Sequence, residues 1–356
     1  MKTIGKSLFR VVSVFAMLML VFTAITPAAV SAAAPTGDDF NRCDLTGSVW
    51  NTVYAPDDAT AEIIGGYQGG ESVLKITLPA GQQGTISGAN KNAPRVMQPI
   101  TDESFEFEVK FNSALAATTA TGQYRMQGIL VRDEVNDKWL RFDLNADNDT
   151  FNFYAGYTAG NTTQHFTGSG GGVSVINMSD LGQAPVRIRV KYDKDAKTWS
   201  MRYNAPNRGW SNYFNINMDT PPAGSAFTFV PSAIGVFAGS TGTTPPGMTV
   251  DVDYFLPVVG GSVNVTAEDA ITLTVNTATN GTVNRTCSGN QVTLDAVPNT
   301  GYKFDAWTGA GILTPNADPL ILTMDKSYTV TPVFVVDGGG PVEDDFLYYL
   351  PFVSKP

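Results

Sequence analysis

The run Phe105-Glu106-Phe107-Glu108-Val109-Lys110-Phe111 alternates apolar and charged residues without a break. A period of two belongs to a strand with one face on a core and the other toward water. The same beat returns in "SVLKITLPAG", in "QGILVRDEVNDKWLRFDLNADNDTFNFYAGY", in "PVRIRVKYDKDAKTWSMRYN", in "SAIGVFAGS" and in "MTVDVDYFLPVV". The second of these reads as three strands turning at Asp133–Asp137 and Asn145–Asp149, and the third as a hairpin with Asp193-Lys194-Asp195-Ala196 at its tip. Asp38 to Phe255 contains no persuasive long helical pattern. Short strands broken by Gly, Asn and Asp turns predict an all-β chain folded as a sandwich or jelly roll.

The first 32 residues read as a secretory signal peptide. Lys2, Lys6 and Arg10 form a charged start, Val11 to Phe22 an apolar run, and Val30-Ser31-Ala32 a small-residue exit. The apolar run is too short for a strong membrane anchor and no later stretch approaches spanning length, so no membrane span is expected after signal removal. The sequence holds 23 basic and 33 acidic residues, and the leader takes three of the basic ones. The remaining acidic balance argues against nucleic acid, which needs a basic footprint. It also disfavours strongly anionic polysaccharides unless a local basic patch exists. Neutral glycans, cations and cell-surface proteins stay open as partners, and the expected location is secreted or at the cell surface.

Residues 36–258 hold the long strand-rich segment. Its motifs, in order, are "DDFN" with Trp50 soon after, "LKITLPAG", "APRVMQ", "FEFEVKF", "QGILVRDEVNDKWLRFDL" and "VDVDYF". In this order they resemble the concanavalin A-like jelly-roll domains of bacterial exported proteins and of β-xylosidase-type glycosidases. The resemblance implies two curved antiparallel sheets, with carbohydrate on the concave side. Residues 271–335, with "LTVNTATNGTV", "GNQVTLDAVPNTGYKFDAWTGA" and "LILTMDKSYTVTPVF", resemble the divergent InlB B-repeat, a small β module of bacterial surface proteins. Cys287 and Pro332 depart from that pattern, and Pro332 suits only a strand edge or a bulge. Residues 336–356 read as an acidic linker and a tail ending "YYLPFVSKP", whose Leu-Pro lacks the Thr-Gly of a sortase signal.

Tyr302, Phe304 and Trp307 crowd into six residues of the repeat. A module this small has few large side chains to bury, so they are expected in its core and not on a ligand platform. Cys43 and Cys287 fall in different segments. They are read as two separate buried thiols, with a bridge between the segments as the alternative.

A glycosidase on such a scaffold needs two carboxylates across a sugar site. The Glu-x-Asp-x-x-Glu strand of lectin-like glucanases is absent, and Glu106 and Glu108 read as the wet face of a half-buried strand. His165, the single histidine, lies in a polar Gly-rich stretch and reads as a loop residue. For glycan recognition the useful side chains are planar rings and bidentate donors. The candidates are Arg95, Gln98, Gln127, Trp139, Arg141, Trp210 and Tyr213. Strand alternation forbids Gln127 and Arg132 from sharing one face, whereas Trp139 and Arg141 share one. For a metal, the hard oxygens of Asp39 and Asp253, near the two ends of the segment beside Asp38 and Asp251, would suit a structural Ca²⁺ if the ends meet.

The resulting expectation is a non-catalytic carbohydrate-binding protein. Its jelly roll would hold a neutral polysaccharide or oligosaccharide on the concave face, and the repeat would act as spacer or surface contact. The alternatives are a glycoside hydrolase with dispersed carboxylates, and a structural or adhesive surface protein with no small ligand.

Overall fold

The computed structural model describes residues 35–45, 48–67, 72–118, 120, 122–147, 150–167, 175–176, 184–264 and 271–338. The leader, Gly170–Gly172 and the C-terminal tail lie outside the described residues. Everything described is strand, turn or irregular chain, with no helix among these residues. The fold is all-β, a jelly-roll sandwich followed by a small β domain.

The strands of the sandwich are β1 (Thr52–Tyr54), β2 (Thr60–Ile64), β3 (Val73–Leu78), β4 (Ile86–Ser87), β5 (Asn90–Lys91), β6 (Arg95–Pro99) and β7 (Phe105–Phe111). They continue with β8 (Tyr124–Asp133), β9 (Lys138–Asp147), β10 (Thr150–Ala159), β11 (Thr162–His165), β12 (Val175–Ile176) and β13 (Val186–Asp193). The last are β14 (Thr198–Ala205), β15 (Gly209–Trp210), β16 (Phe214–Asn217), β17 (Ala233–Thr241), β18 (Met248–Val259) and β19 (Ser262–Val263). The first sheet runs β1-β6-β17-β8-β9-β10-β11, with β12 also against β10. The second runs β15-β14-β13-β7-β18-β3-β2, with β16 against β14 and β19 against β18. The late strands β17 and β18 slot between earlier ones, and Asp38 bridges Phe255 through backbone bonds of 2.8 Å in both directions. The two ends of the segment therefore meet, as the jelly-roll reading requires.

Alternation sorts the side chains as the sequence indicates. Phe105, Phe107, Val109 and Phe111 of β7 turn inward, as do Leu140, Phe142, Leu144 and Ala146 of β9, and together they form one core between the sheets. Trp199, fully buried, stacks on Tyr192 at 4.4 Å and on Phe142 at 5.7 Å. A ring cluster of this kind adds about 0.5–1.5 kcal/mol per pair beyond area burial.

The small domain holds β20 (Leu273–Val275), β21 (Gly281–Ser288), β22 (Gln291–Pro298), β23 (Tyr302–Thr308), β24 (Leu320–Thr323) and β25 (Tyr328–Val336). They form two three-stranded sheets, β20-β25-β23 and β21-β22-β24. The pairing of β23 with β25 slips between Phe304 and Ala306. That bulge at Asp305 resets the alternation, so Trp307 joins Tyr302 and Phe304 on the inner face. Trp307 is 1% exposed and donates its indole N–H to the Ala317 carbonyl at 2.8 Å. These rings are core, as their density in a small module requires. Pro332 sits on β25, the middle strand of its sheet, but β20 pairs only as far as Val330, so the missing N–H removes no ladder bond to β20 there.

The expectation of two separate thiols is corrected. Cys43 and Cys287 form a disulfide with 5.3 Å between their Cα atoms. The cause is a docking that local sequence does not encode. The Cys43 N–H donates to the Gly289 carbonyl, the Gly289 N–H to Asp44, and the Leu273 N–H to the Tyr67 carbonyl. Tyr67 itself is buried in the small domain's core.

Candidate functional site

The site is built on β9 and β10. Because Leu140, Phe142, Leu144 and Ala146 enter the core, Arg141, Asp143, Asn145 and Asp147 must point out of the first sheet. On β10, Phe151, Phe153 and Ala155 enter the core, so Asn152, Tyr154 and Gly156 point out. Register then sets Asn152 opposite Asn145, Tyr154 opposite Asp143, and Gly156 between Arg141 on β9 and His165 on β11.

Gly156 is the hinge of the local packing. A Cβ there would lie 2.3 Å from the Tyr154 hydroxyl, so the ring of Tyr154 lies across the space that a side chain would fill. Laid this way, Tyr154 meets the His165 Nδ1 at 2.8 Å, and the Arg141 guanidinium covers its ring at 4.2 Å. Arg141 also forms an ion pair with Asp143 at 2.7 Å and donates to the Thr85 hydroxyl at 3.1 Å. Thr85 leads into the β4–β5 hairpin, which folds over this face and is fixed to β11 by the Gly88 N–H donating to Thr163 at 2.8 Å.

The hairpin divides the outward face in two. Beneath it, Ile86 and Ala93 pack with Met97, Met126, Leu130, Trp139, Ala233 and Phe237 into a second apolar cluster. Beside it lies a cavity of about 820 Å³. Its floor is Arg141, Asn145, Asn152 and Tyr154, and its walls include Gln83, Asn90, Tyr124, His165 and Thr241. The size suits a small ligand.

The charges of the cavity are already engaged. Asp143 is fully buried, and burial pushes its carboxyl above the ordinary range while Arg141 pulls it back. Asp147 accepts from the Gly122 N–H at 2.7 Å. Burial raises the Tyr154 phenol, and burial together with Arg141 lowers the His165 imidazole. At neutral pH both stay uncharged, and the phenol and Nδ1 share one hydrogen bond whose donor is set by the imidazole tautomer. What faces the cavity is thus a set of amides, hydroxyls and two tyrosine rings, with Arg141, Asp147 and His165 engaged among them.

His165 also gives a prediction. Its folded pKa lies below the unfolded value, so the unfolded chain binds the extra proton first as pH falls. Stability is therefore full above the unfolded value of about 6.5 and declines as pH drops through the folded one. His165 is the only histidine. His165→Gln is expected to flatten the urea-midpoint profile between about pH 7 and pH 5. An unchanged profile in the variant would refute the assignment.

Of the residues singled out in the sequence, Arg141 lines this cavity. Arg95 and Trp139 share its face but lie under the hairpin. The Arg95 guanidinium stacks on Tyr54 at 4.1 Å and Trp139 at 4.9 Å, and burial pushes its pKa down to about 10. Gln98 and Gln127 sit on the opposite side of their strands, between the sheets. Gln98 exchanges hydrogen bonds with the Thr36 backbone and Gln127 with Ser113. Trp210 is on β15 of the second sheet, and Tyr213 lies just before β16. His165 is on strand β11, not in a loop as the sequence suggests.

The aspartates proposed for calcium do not fit the ion. Asp38 accepts from Phe40 N–H and from the Trp50 indole, each at 2.8 Å, and pairs with Arg42 at 3.1 Å. Asp39 caps the Asn41 N–H at 3.1 Å, Asp251 pairs with Lys75 at 3.0 Å, and Asp253 pairs with Lys110. The ends do converge, but their oxygens are held by cations and N–H groups of the chain. Among the described residues no three His, Cys, Asp or Glu side chains gather as a metal site.

Residues 271–338 match the divergent InlB B-repeat domain family. The repeat is therefore the small domain with Trp307 at its centre, and it begins at the strand paired to β25. No curated protein sequence matches the chain. Among solved structures, the chain is similar to a xylan β-1,4-xylosidase of Bacillus halodurans, with 14% identity and a TM-score of 0.39 over 62% of this chain and 38% of that one. The chain thus spans well under half of that enzyme's length. A second is the CBM2 module of the evolved Dit protein of Lactobacillus casei BL23 phage J-1, with 12% identity and a TM-score of 0.39 over 62% and 93%. A third is a GlcNAcα1-4Gal-releasing endo-β-galactosidase of Clostridium perfringens, with 10% identity and a TM-score of 0.38 over 85% and 98%.

Proposed function

We propose that the sandwich binds an uncharged glycan in the cavity over β9 and β10, without hydrolysing it, and that the chain works outside the cell. The observation that carries this reading is the chemistry of the lining. Asn145, Asn152, Asn90 and Gln83 offer amides around the Tyr124 and Tyr154 rings; of the charged groups beside them, Arg141 is paired with Asp143 and Asp147 accepts the Gly122 N–H. Amides and hydroxyls match sugar hydroxyls, and tyrosine rings cover the apolar faces of pyranoses.

Binding is favoured over hydrolysis by spacing and burial. Asp143 and Asp147 are four residues apart on one strand, about 13 Å between backbones at strand rise. The two acids of a glycosidase stand about 5–5.5 Å apart for retention and about 6.5–9.5 Å for inversion. Asp143 is in addition sealed against Arg141. The Cys43–Cys287 disulfide supports an oxidising compartment, and with it a secreted or surface location.

Asn152 faces Asn145 across the pair and donates to it at 3.2 Å. Asn152→Ala is expected to weaken binding of an array-selected neutral oligosaccharide about tenfold, the value of one or two lost hydrogen bonds. Undiminished affinity would remove this row from the site. Release of reducing sugar by the wild type, lost in Asp143→Asn, would favour the hydrolase alternative.

A further inference from the structure

The outer face of the second sheet carries a second arrangement, independent of the cavity. Strand β13 turns Arg187, Arg189 and Lys191 outward because Val186, Ile188, Val190 and Tyr192 fill the core. Its neighbours β7 and β14 turn out Glu106, Glu108 and Lys110, and Ser200, Arg202 and Asn204. Register sets Arg189 directly opposite Arg202. Like charges so placed repel, and a chain with net charge −10 has little reason to gather cations on one face.

The two arginines differ in what they hold. Arg189 is buried and bonded to Glu108 at 2.5 Å and to the Gly261 carbonyl at 2.9 Å. Arg202 has no carboxylate or carbonyl partner among the described residues, and its Nε is buried without a hydrogen bond. Its guanidinium is instead held over the Trp210 ring at 4.6 Å and the Tyr213 ring at 4.4 Å. The other charges on the face are engaged. Lys110 pairs with Asp253, Arg187 lies 3.5 Å from Glu108, Glu106 accepts from Tyr213 at 2.6 Å, and Asp193 accepts from the Ala196 N–H at 2.9 Å. Lys191, exposed and one cross-strand step diagonal to Arg202, has no ion-pair partner among the described residues. It stands opposite Glu106 of β7 and opens on a depression of about 460 Å³ that Asp193, Ser200 and Asn215 also line, with Arg202 beside that lining and not part of it.

We infer that Arg202 and Lys191 form an anion site on the second sheet that takes the carboxylate of an acidic saccharide. A guanidinium fixed by two rings is a planar fork with its donors pre-aimed, which suits a bidentate carboxylate. Lys191 adds a point charge, and Ser200 and Asn215 supply the hydroxyl and amide that a sugar ring bearing the acid would meet. The site is on the sheet facing away from the cavity and does not depend on a ligand there.

The test uses the full chain and titrates oligogalacturonate, its fully methyl-esterified form and polyphosphate at low and physiological salt. The acid form is expected to bind and to weaken with salt, and the ester not to bind. Arg202→Gln should lower the affinity more than tenfold, with Arg202→Lys recovering part of it. Lys191→Gln, at an exposed position that leaves folding intact, should lower it several-fold. Binding of the ester as tight as that of the acid, no binding of either, or unchanged affinity in Lys191→Gln and Arg202→Gln would each overturn the site. Tighter binding of polyphosphate than of the uronate would overturn the saccharide assignment.

Discussion

Arg141→Met is expected to cost the sandwich about 3–5 kcal/mol at neutral pH and to abolish ligand binding in the cavity. The substitution keeps the bulk but leaves Asp143 as a buried carboxylate with no counter-charge, and breaking one side of such a pair is far more damaging than never having had it. It also uncovers Tyr154 and releases the Thr85 end of the hairpin. The pH dependence identifies the cause. Burial already holds the Asp143 pKa above the unfolded value, so the folded state keeps its proton longer. Stability therefore falls as pH rises from the unfolded value of about 3.9 toward the folded one, and losing Arg141 widens that window. The deficit of the variant should shrink toward pH 4, and adding Asp143→Asn should restore most of it at pH 7. Urea unfolding measures both. A loss under about 1 kcal/mol that is flat in pH would show that the pair is not what holds this floor together.

Trp307→Ala is expected to unfold the repeat while the sandwich survives. Truncating a buried tryptophan costs about 3–5 kcal/mol, a large part of the total stability of a domain this size. The indole also holds the 315–317 turn through the Ala317 carbonyl. Limited proteolysis should then cut within 271–338 while the sandwich core, with its own Trp199 cluster, resists. Equal resistance of the repeat in variant and wild type would place Trp307 outside the core.

The parts of the fold carried by alternation were legible. Phe105 to Phe111 announced which face of β7 is buried, and the same parity puts Arg95 and Gln98, three apart, on opposite sides of β6. Applied to β9, it also yields Arg141, Asp143, Asn145 and Asp147 as one polar row. Of that row only Arg141 stands out in the sequence, because Asn145 opens the turn expected at Asn145–Asp149, whereas the strand runs on to Asp147. Contacts that join distant segments left no local mark. The "SGANKNAP" stretch gives no sign that it folds over the first sheet, and it is this hairpin that hides Trp139 and creates the cavity wall. Trp210 is one of the rings that the sequence offers for glycan recognition. It lies on the other sheet, within 4.4 Å of the Arg189 and 4.6 Å of the Arg202 guanidinium, a position set by the β14–β15 pairing. Cys43 and Cys287, 244 residues apart, meet only because the segment around Tyr67 docks on the repeat.

Hydrogen–deuterium exchange with and without a neutral oligosaccharide selected on an array is the most direct measurement of the central claim. Binding is predicted to slow exchange in β9, β10 and the 85–92 hairpin, and to leave β13 and β14 unchanged. Protection confined to the second sheet or to the repeat, or no protection at saturating ligand, would contradict it.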